Sequence, residues 1–326
     1  MSRSASSVFQ SLQGFFAVYK PPGVHWKLVR DNVETNLLKE LNSLETPPPR
    51  QLIRFQPVAA EGTDGVELTR VATAVPALAD VLVKGAPYTS LKIGAGHRLD
   101  ARSSGVFVLG IGRGNRLLTD MYNSHCTRDY TVCGSFGTAT DDFSDTGRII
   151  EKTTYGHVTR DKLERILAVI QGSNRKALLT HSHIDLKSQE AYELAVAGQL
   201  RPMVKSPPII LGMRCLDFSP PDFTLEIQCM HETQQYLRKV IHEIGLELRS
   251  SAVCTKVRRT RDGSFTVDCA LLHTHWDLYS IRQAVKESRG RAADLIRRKI
   301  ENLDRLQPAE RDTESPSNED GEELRM

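Results

Sequence analysis

Asp100 is the acid whose surroundings best suit covalent chemistry. It lies in Gly94-Ala-Gly-His-Arg-Leu-Asp-Ala-Arg-Ser-Ser-Gly105, between glycine-punctuated turns and just ahead of Val106, Phe107, Val108 and Leu109. That short apolar run, rich in β-branched and aromatic residues and bounded by Gly105 and Gly110, predicts a buried strand. A loop anchored to such a strand is held in place. Arg98 and Arg102 flank the acid and offer counter-charges that keep it ionised at neutral pH. A fixed, ionised carboxylate can attack an electrophilic carbon or remove a proton. The competing reading is a loop acid in an ordinary surface ion pair, which is common and weak. Far along the chain, Arg238 flanks an apolar stripe of Leu237, Val240, Ile241 and Ile244. Its planar fork is either a solvated helix charge or a bidentate partner for a carboxylate.

The elements that must position these groups follow from periodicity and punctuation. Residues 14–19 read as a strand running into Lys20-Pro21-Pro22-Gly23, where two prolines fix φ and the glycine releases it. Val29, Val33, Leu37, Leu38 and Leu41 predict a helix over 24–41. Thr46-Pro-Pro-Pro-Arg50 ends it and opens a segment to about residue 91 with one strand-like run at 67–74. Residues 117–123 read as helical, and 127–137 alternate as a strand carrying Tyr130. A charged amphipathic helix is expected at 158–170 and a strand at 224–229. A helix ending at Gly245 is expected next, and a long basic one over 281–306. That last helix suits either phosphate contact or a solvated face.

Composition narrows the function classes. Of 326 residues, 40% are hydrophobic and 25% charged, the balance of a soluble globular protein. Net charge is +3, but seven acids against two arginines from Pro308 onward leave +8 on residues 1–307. A basic body suits a polyanionic partner. Six cysteines without a Cys-x-x-Cys pair suggest neither a zinc site nor a disulfide framework, and no apolar run approaches the ~20 residues of a membrane span. Gly110-Ile-Gly-Arg-Gly114 fails as a dinucleotide loop, because Asn115 stands where the pattern needs glycine. The acids of Thr140-Asp-Asp-Phe-Ser-Asp-Thr-Gly147 lack calcium-loop spacing. The first thirty residues contain no acid and begin Ser-Arg-Ser-Ala-Ser-Ser after Met1, which is compatible with a short targeting segment at 1–13.

Several of these stretches, taken together, resemble one family. Gly96-His97-Arg98-Leu99-Asp100 with Ser103-Ser104-Gly105-Val106 is similar to the catalytic-aspartate motif of pseudouridine synthases. Tyr19-Lys20-Pro21-Pro22-Gly23 resembles the Lys-Pro-x-Gly motif of the TruB and RluA types. The Tyr130 strand followed by Thr140-Asp141 and Asp145-Thr146-Gly147 resembles the TruB pattern. Tyr236-Leu237-Arg238 with Glu243-Ile244-Gly245 resembles TruB's Tyr-Ile-Arg…Asp-Leu-Gly, and Val257-Arg-Arg-Thr-Arg-Asp-Gly-Ser-Phe265 its Leu-Arg-Arg-Thr-Arg-x-Gly-x-Phe. Ala191-Tyr-Glu-Leu-Ala-Val-Ala-Gly198 is similar to a further TruB stretch. Three departures stand out. Thr233-Gln234-Gln235 replaces Lys-Gly-Thr, a Gln-x-Pro-Pro-x-Tyr-Ser element is missing, and the spacing of His97 to Asp100 is closer to RluA.

The resemblance implies an α+β pseudouridine synthase fold, a mixed, mostly antiparallel sheet flanked by helices with a central RNA-binding cleft. It implies a catalytic domain over 14–275, with an insertion at about 44–91, a basic C-terminal helix at 276–307 and an acidic disordered tail at 308–326. The PUA domain of bacterial members is expected to be lacking, as in the animal mitochondrial branch. Asp100 would be the catalytic acid, Arg238 the arginine that keeps it ionised, and Tyr130 the ring that stacks on a flipped base. Lys20, Pro21, His97, Arg98, Val257 and Arg258 would contact substrate. No metal or cofactor is called for. The implied substrate is mitochondrial RNA, messenger RNA foremost and transfer or ribosomal RNA besides. The implied place is the mitochondrial matrix, within an RNA-processing assembly. Two rivals are a TruB-derived RNA chaperone without catalysis and an RluA-type enzyme acting on ribosomal RNA.

Overall fold

The computed structural model describes residues 5–44, 50–59, 66–75, 86–181, 189, 193 and 207–291. Its site-bearing strand is β5 (Ser104–Ile111), every residue of which is buried. The continuous apolar run arises because both faces of the strand are covered. Phe107 and Leu109 face one core with Phe16 and Val18, while Val106 and Val108 face a second with Phe15, Ala17 and Leu118. β1 (Gly14–Lys20) pairs antiparallel along β5, from Gly14 opposite Ile111 to Lys20 opposite Gly105. Its alternation therefore feeds the same two cores.

On its other edge β5 meets β11 (Ala252–Asp262) in a parallel pairing at Ser104 and Gly105. The sheet continues through β6 (Arg128–Phe136), β10 (Asp222–Met230) and β9 (Ile209–Ser219), all antiparallel, while β4 (Ile93–Ala95) and β12 (Phe265–Thr266) add short edges and β7 (Thr138–Thr140) pairs with β8 (Ile149–Lys152) apart from it. Among the described residues the fold is α+β with a mostly antiparallel sheet, as expected. Helix α1 (Ala5–Ser11) packs on α2 (Trp26–Ser43), α3 (Gly114–Asn123) on β4 and β5, and α4 (Arg160–His181) on β9. Helix α5 (Gln234–Glu247) packs on β11, and α6 (Leu278–Glu287) on β1 and α2. None of the described helices is long and apolar enough to cross a membrane.

Several elements differ from their sequence readings for physical reasons. The segment read as a targeting stretch is part of the core from Ala5 on, with Val8 and Leu12 buried. In place of one strand at 67–74 there is a hairpin, β2 (Arg50–Ala59) with β3 (Val66–Val75). Pro57, which has no N–H for a ladder, hid the first strand. α4 runs past its expected end at 170, through Gly172-Ser173-Asn174, because Asn174 Oδ1 accepts the Ile210 N–H at 2.9 Å. Contact with β9 there overrides weak local propensity. The Ala191–Gly198 stretch, the basic helix beyond 291 and the acidic tail lie outside the described residues, but for Glu193.

Gly105 is a glycine the architecture cannot replace. Its φ is +115°, and a Cβ there would stand 2.0 Å from the Arg259 carbonyl oxygen. Substitution with alanine would force β5 and β11 apart where they begin to pair. Gly105→Ala should cost about 3 kcal/mol or more and lower the melting temperature by roughly 6 °C or more. A variant melting with the unaltered chain would contradict this pairing.

Candidate active site

Asp100 sits in the loop between β4 and β5, and its carboxylate is held from two directions. Oδ1 accepts the Ser103 N–H at 2.8 Å, folding the loop back on itself. Oδ2 accepts Nη2 of Arg238 at 2.5 Å, and the same nitrogen donates to the Ser103 hydroxyl at 3.3 Å. The Arg238 side chain is 7% exposed and that of Asp100 35%, so a buried cation meets a carboxylate that still faces solvent. Burial pushes the Asp100 carboxyl up, but Ser103 and Arg238 outweigh it and hold the group below the usual carboxylate value.

Arg238 is delivered by α5, whose N-cap is Thr233, the hydroxyl accepting the Tyr236 N–H. One turn before Arg238, Gln234 accepts the backbone N–H of Asp100 on its Oε1 at 3.2 Å. Residues four apart share a helix face, so one face grips Asp100 at both backbone and carboxylate. The Thr233-Gln234-Gln235 departure thus supplies a cap and a contact to the loop.

Lys20 fastens the loop from below. Its ammonium is fully buried and donates to the carbonyls of Pro21 at 3.0 Å, Ala101 at 3.1 Å and Ser103 at 2.6 Å. Desolvation lowers its pKa to about 8, against the attraction of Asp100 and with the repulsion of Arg259. All three donors are used inside the protein. Pro21 is partly exposed beside it.

The two arginines that flank Asp100 in sequence turn elsewhere, which corrects the expectation that they balance it. Arg102 donates to Asp142 and Ser144, both at 2.5 Å, tying the loop to the acidic 140–147 segment. Arg98 extends over the ring of Trp26, 4.7 Å from its centroid.

Tyr130 lies on β6 with no exposed surface, and its hydroxyl donates to Glu232 at 2.6 Å. Burial first, and then the Glu232 charge, push that hydroxyl well above its usual pKa. Glu232 also faces Arg128 across a buried ion pair of 2.6 Å. The ring offers no open face for a base, so stacking on it requires its cover to move. Val257 is buried in the main core, and Arg258 lies over the ring of Tyr19 at 5.6 Å.

His97 is held from three sides. Its carbonyl accepts from Arg259 at 2.7 Å, its Nδ1 stands 3.4 Å from Asp262, and its ring stacks on Tyr122 at 5.4 Å. Both carboxylate oxygens of Asp262 lack hydrogen bonds among the described residues and rely on His97 and Arg259 for charge. Burial works against that charge, and Arg259, with His97 beside it, holds the carboxyl far below its usual value. A cavity of about 350 Å³ opens between His97, Arg98, Tyr122, Arg128, Glu232 and Gln234.

A family model described as the N-terminal domain of the TruB family pseudouridylate synthases matches residues 86–235. The chain is 71% identical over 298 residues to the Xenopus tropicalis protein named "Pseudouridylate synthase TRUB2, mitochondrial", covering 91% of this chain and 92% of that one. The Homo sapiens protein of the same name is 61% identical over 282 residues, covering 86% and 85%. This chain belongs to the TruB family of pseudouridylate synthases. Its sheet and helices are the family's pseudouridine synthase fold.

For a TruB-family chain the motifs were informative about which residues meet and less so about how. Asp100 and Arg238, 138 positions apart, come together as the resemblance implied. Gln234, Glu232, Arg128, Arg259 and Asp262 were not singled out as site residues. Gln234 had a signal, since it stands in a departure from the family pattern beside Arg238. For the buried acids nothing local distinguishes a core carboxylate from a surface one.

Arg238→Ala should lower stability by about 1–3 kcal/mol at pH 7, because the Asp100 carboxylate loses its charged donor. The Asp100 pKa is depressed, so its contribution is present above the unfolded value of about 4 and is lost as pH falls through the folded value. Thermal melts should therefore show a gap between the two proteins that is steady from pH 8 to 5 and narrows below 4. A gap that widens on acidification would contradict the pairing.

Proposed function

We propose that this TruB-family chain isomerises uridine to pseudouridine in mitochondrial RNA, messenger RNA included, with Asp100 as the acting carboxylate. The observation that supports it most is the Asp100 carboxylate itself, anchored by Ser103 and Arg238 yet about one-third exposed. The reaction breaks the N1–C1′ bond, turns the detached uracil and joins C5 to C1′. The C5 hydrogen leaves as a proton and N1 gains one, so composition and oxidation state are unchanged. A carboxylate can act either as nucleophile at the anomeric carbon or as base toward a sugar proton. Both routes need it ionised and fixed, which is what Arg238 and the Ser103 N–H provide.

The target uridine must leave its stack at a cost of a few kcal/mol. The cavity beside His97, Arg98 and Gln234 is the proposed receiving space, and Pro21, Val257 and Arg258 remain proposed substrate contacts on the family resemblance. Tyr130 takes its place against the base only after its cover shifts. The catalytic unit is assigned to residues 14–275, because every group around Asp100 falls between Lys20 and Asp262. The mitochondrial setting rests on the names of the Xenopus and human relatives.

Chemical mapping of pseudouridine in mitochondrial RNA from cells whose only copy carries Asp100→Ala tests this. The expected result is complete loss at a defined set of uridines, with the protein still present and folded. Unchanged modification at every site would leave an RNA-binding role without catalysis.

A further inference from the structure

The cluster around Trp26 is not used by the chemistry above, apart from Arg98, which also lines the receiving cavity. Trp26 opens α2, with one edge set against Phe107 at 6.4 Å. The Arg98 guanidinium stands 4.7 Å from its centroid, Arg30 5.8 Å and the Lys27 ammonium 5.9 Å, while the His25 ring lies 5.6 Å away at a 35° tilt. Arg30 is paired with Asp31, the acid of this group. His25, Lys27 and Arg98 are exposed, and neither the Arg98 guanidinium nor the Lys27 ammonium has a hydrogen bond or ion pair among the described residues. The cluster is joined to the Asp100 loop twice: Arg98 precedes Asp100 by two residues, and the Gly23 N–H donates to the Ala101 carbonyl at 2.8 Å.

An exposed guanidinium backed by an indole presents a flat cationic surface. Such a surface attracts the π-face of a base and the phosphate beside it, and single-stranded RNA is held on aromatic and arginine planes of this kind. We propose that Arg98 and Trp26 form a stacking step for the nucleotide adjoining the uridine on which Asp100 acts, with Lys27 taking the intervening phosphate. The proposal rests on the reading of the chain as an RNA isomerase and adds to it where the neighbouring nucleotide lies. The net positive charge and the two-residue link from Arg98 to Asp100 favour RNA as the occupant.

The test uses the full chain and stem–loop RNAs with one loop uridine and 2-aminopurine on either side of it. Binding to the unaltered chain should quench the 2-aminopurine on one side. Trp26→Ala should restore that emission and weaken binding about five- to a hundredfold, with the salt dependence unchanged. Arg98→Ala should weaken binding and reduce the slope of log affinity against log salt by about one. Trp26→Phe should retain most of the affinity. Arg98 is a surface side chain, so its variant decides the matter even if Trp26→Ala does not fold. Binding within twofold of the unaltered chain for Arg98→Ala, with its quenching intact, would overturn the stacking step. Asp100→Ala separates the two readings. Quenched binding without pseudouridine supports both, and quenched binding with pseudouridine still formed removes Asp100 as the acting group while leaving the step in place. Failure of the unaltered chain to bind any of these RNAs would overturn both.

Discussion

One ion pair, between Arg238 and Asp100, sets the requirements that the rest of the molecule meets. A carboxylate drawn partly out of water tends to take up a proton, and a reactive carboxylate must not. The remedy is a guanidinium brought from 138 residues away, itself buried and therefore unable to relax toward solvent. Its reach depends on where the sheet places α5. That helix follows β10 and packs on β11, and β11 in turn lies against β5, the strand that carries the Asp100 loop. The parallel contact of β5 with β11, with Gly105 pressed against Arg259, is the joint through which acid and base come to face each other.

Around that pair the protein spends buried charge freely. Lys20 holds the loop by three carbonyls, Arg259 and Asp262 fix His97, and Arg128 with Glu232 fixes Tyr130. Buried ions of this kind add little to stability, because their desolvation offsets their attraction, but each allows few geometries. Their common effect here is to fix the Asp100 loop and the Tyr130 ring. The burial of Tyr130 fits this pattern, with its hydroxyl committed to Glu232.

Much of this architecture was legible in the amino-acid order. The β5 run, the helical stripe of α5 and the alternation of β6 and β10 are strong periodic signals, and the structure contains each within a few residues. Motif resemblance brought Asp100 to Arg238, which no periodicity could have done. Local charge was the misleading signal. Arg98 and Arg102 stand nearest to Asp100 in sequence and pair with neither of its oxygens, because the tight Ser103 turn points the carboxylate toward α5 and their own side chains outward. Lys20 was legible as the end of a strand, but not its role as an internal strut, because the three carbonyls that converge on it come from the adjoining turn and from a loop some eighty residues away. Pro57 hid β2 and Gly172 hid the second half of α4, where partners supplied by the fold outweighed local preference.

The central claim is that Asp100 is an ionised carboxylate throughout the working pH range, and it can be tested directly. The side-chain carboxyl carbon of Asp100, identified by its loss in Asp100→Asn, would be followed by NMR in the full-length folded protein from pH 7.5 down to pH 4.5. A depressed pKa predicts a chemical shift that stays constant over the whole interval while amide dispersion shows the fold intact. A titration midpoint inside that interval would show that Arg238 and Ser103 do not hold the charge.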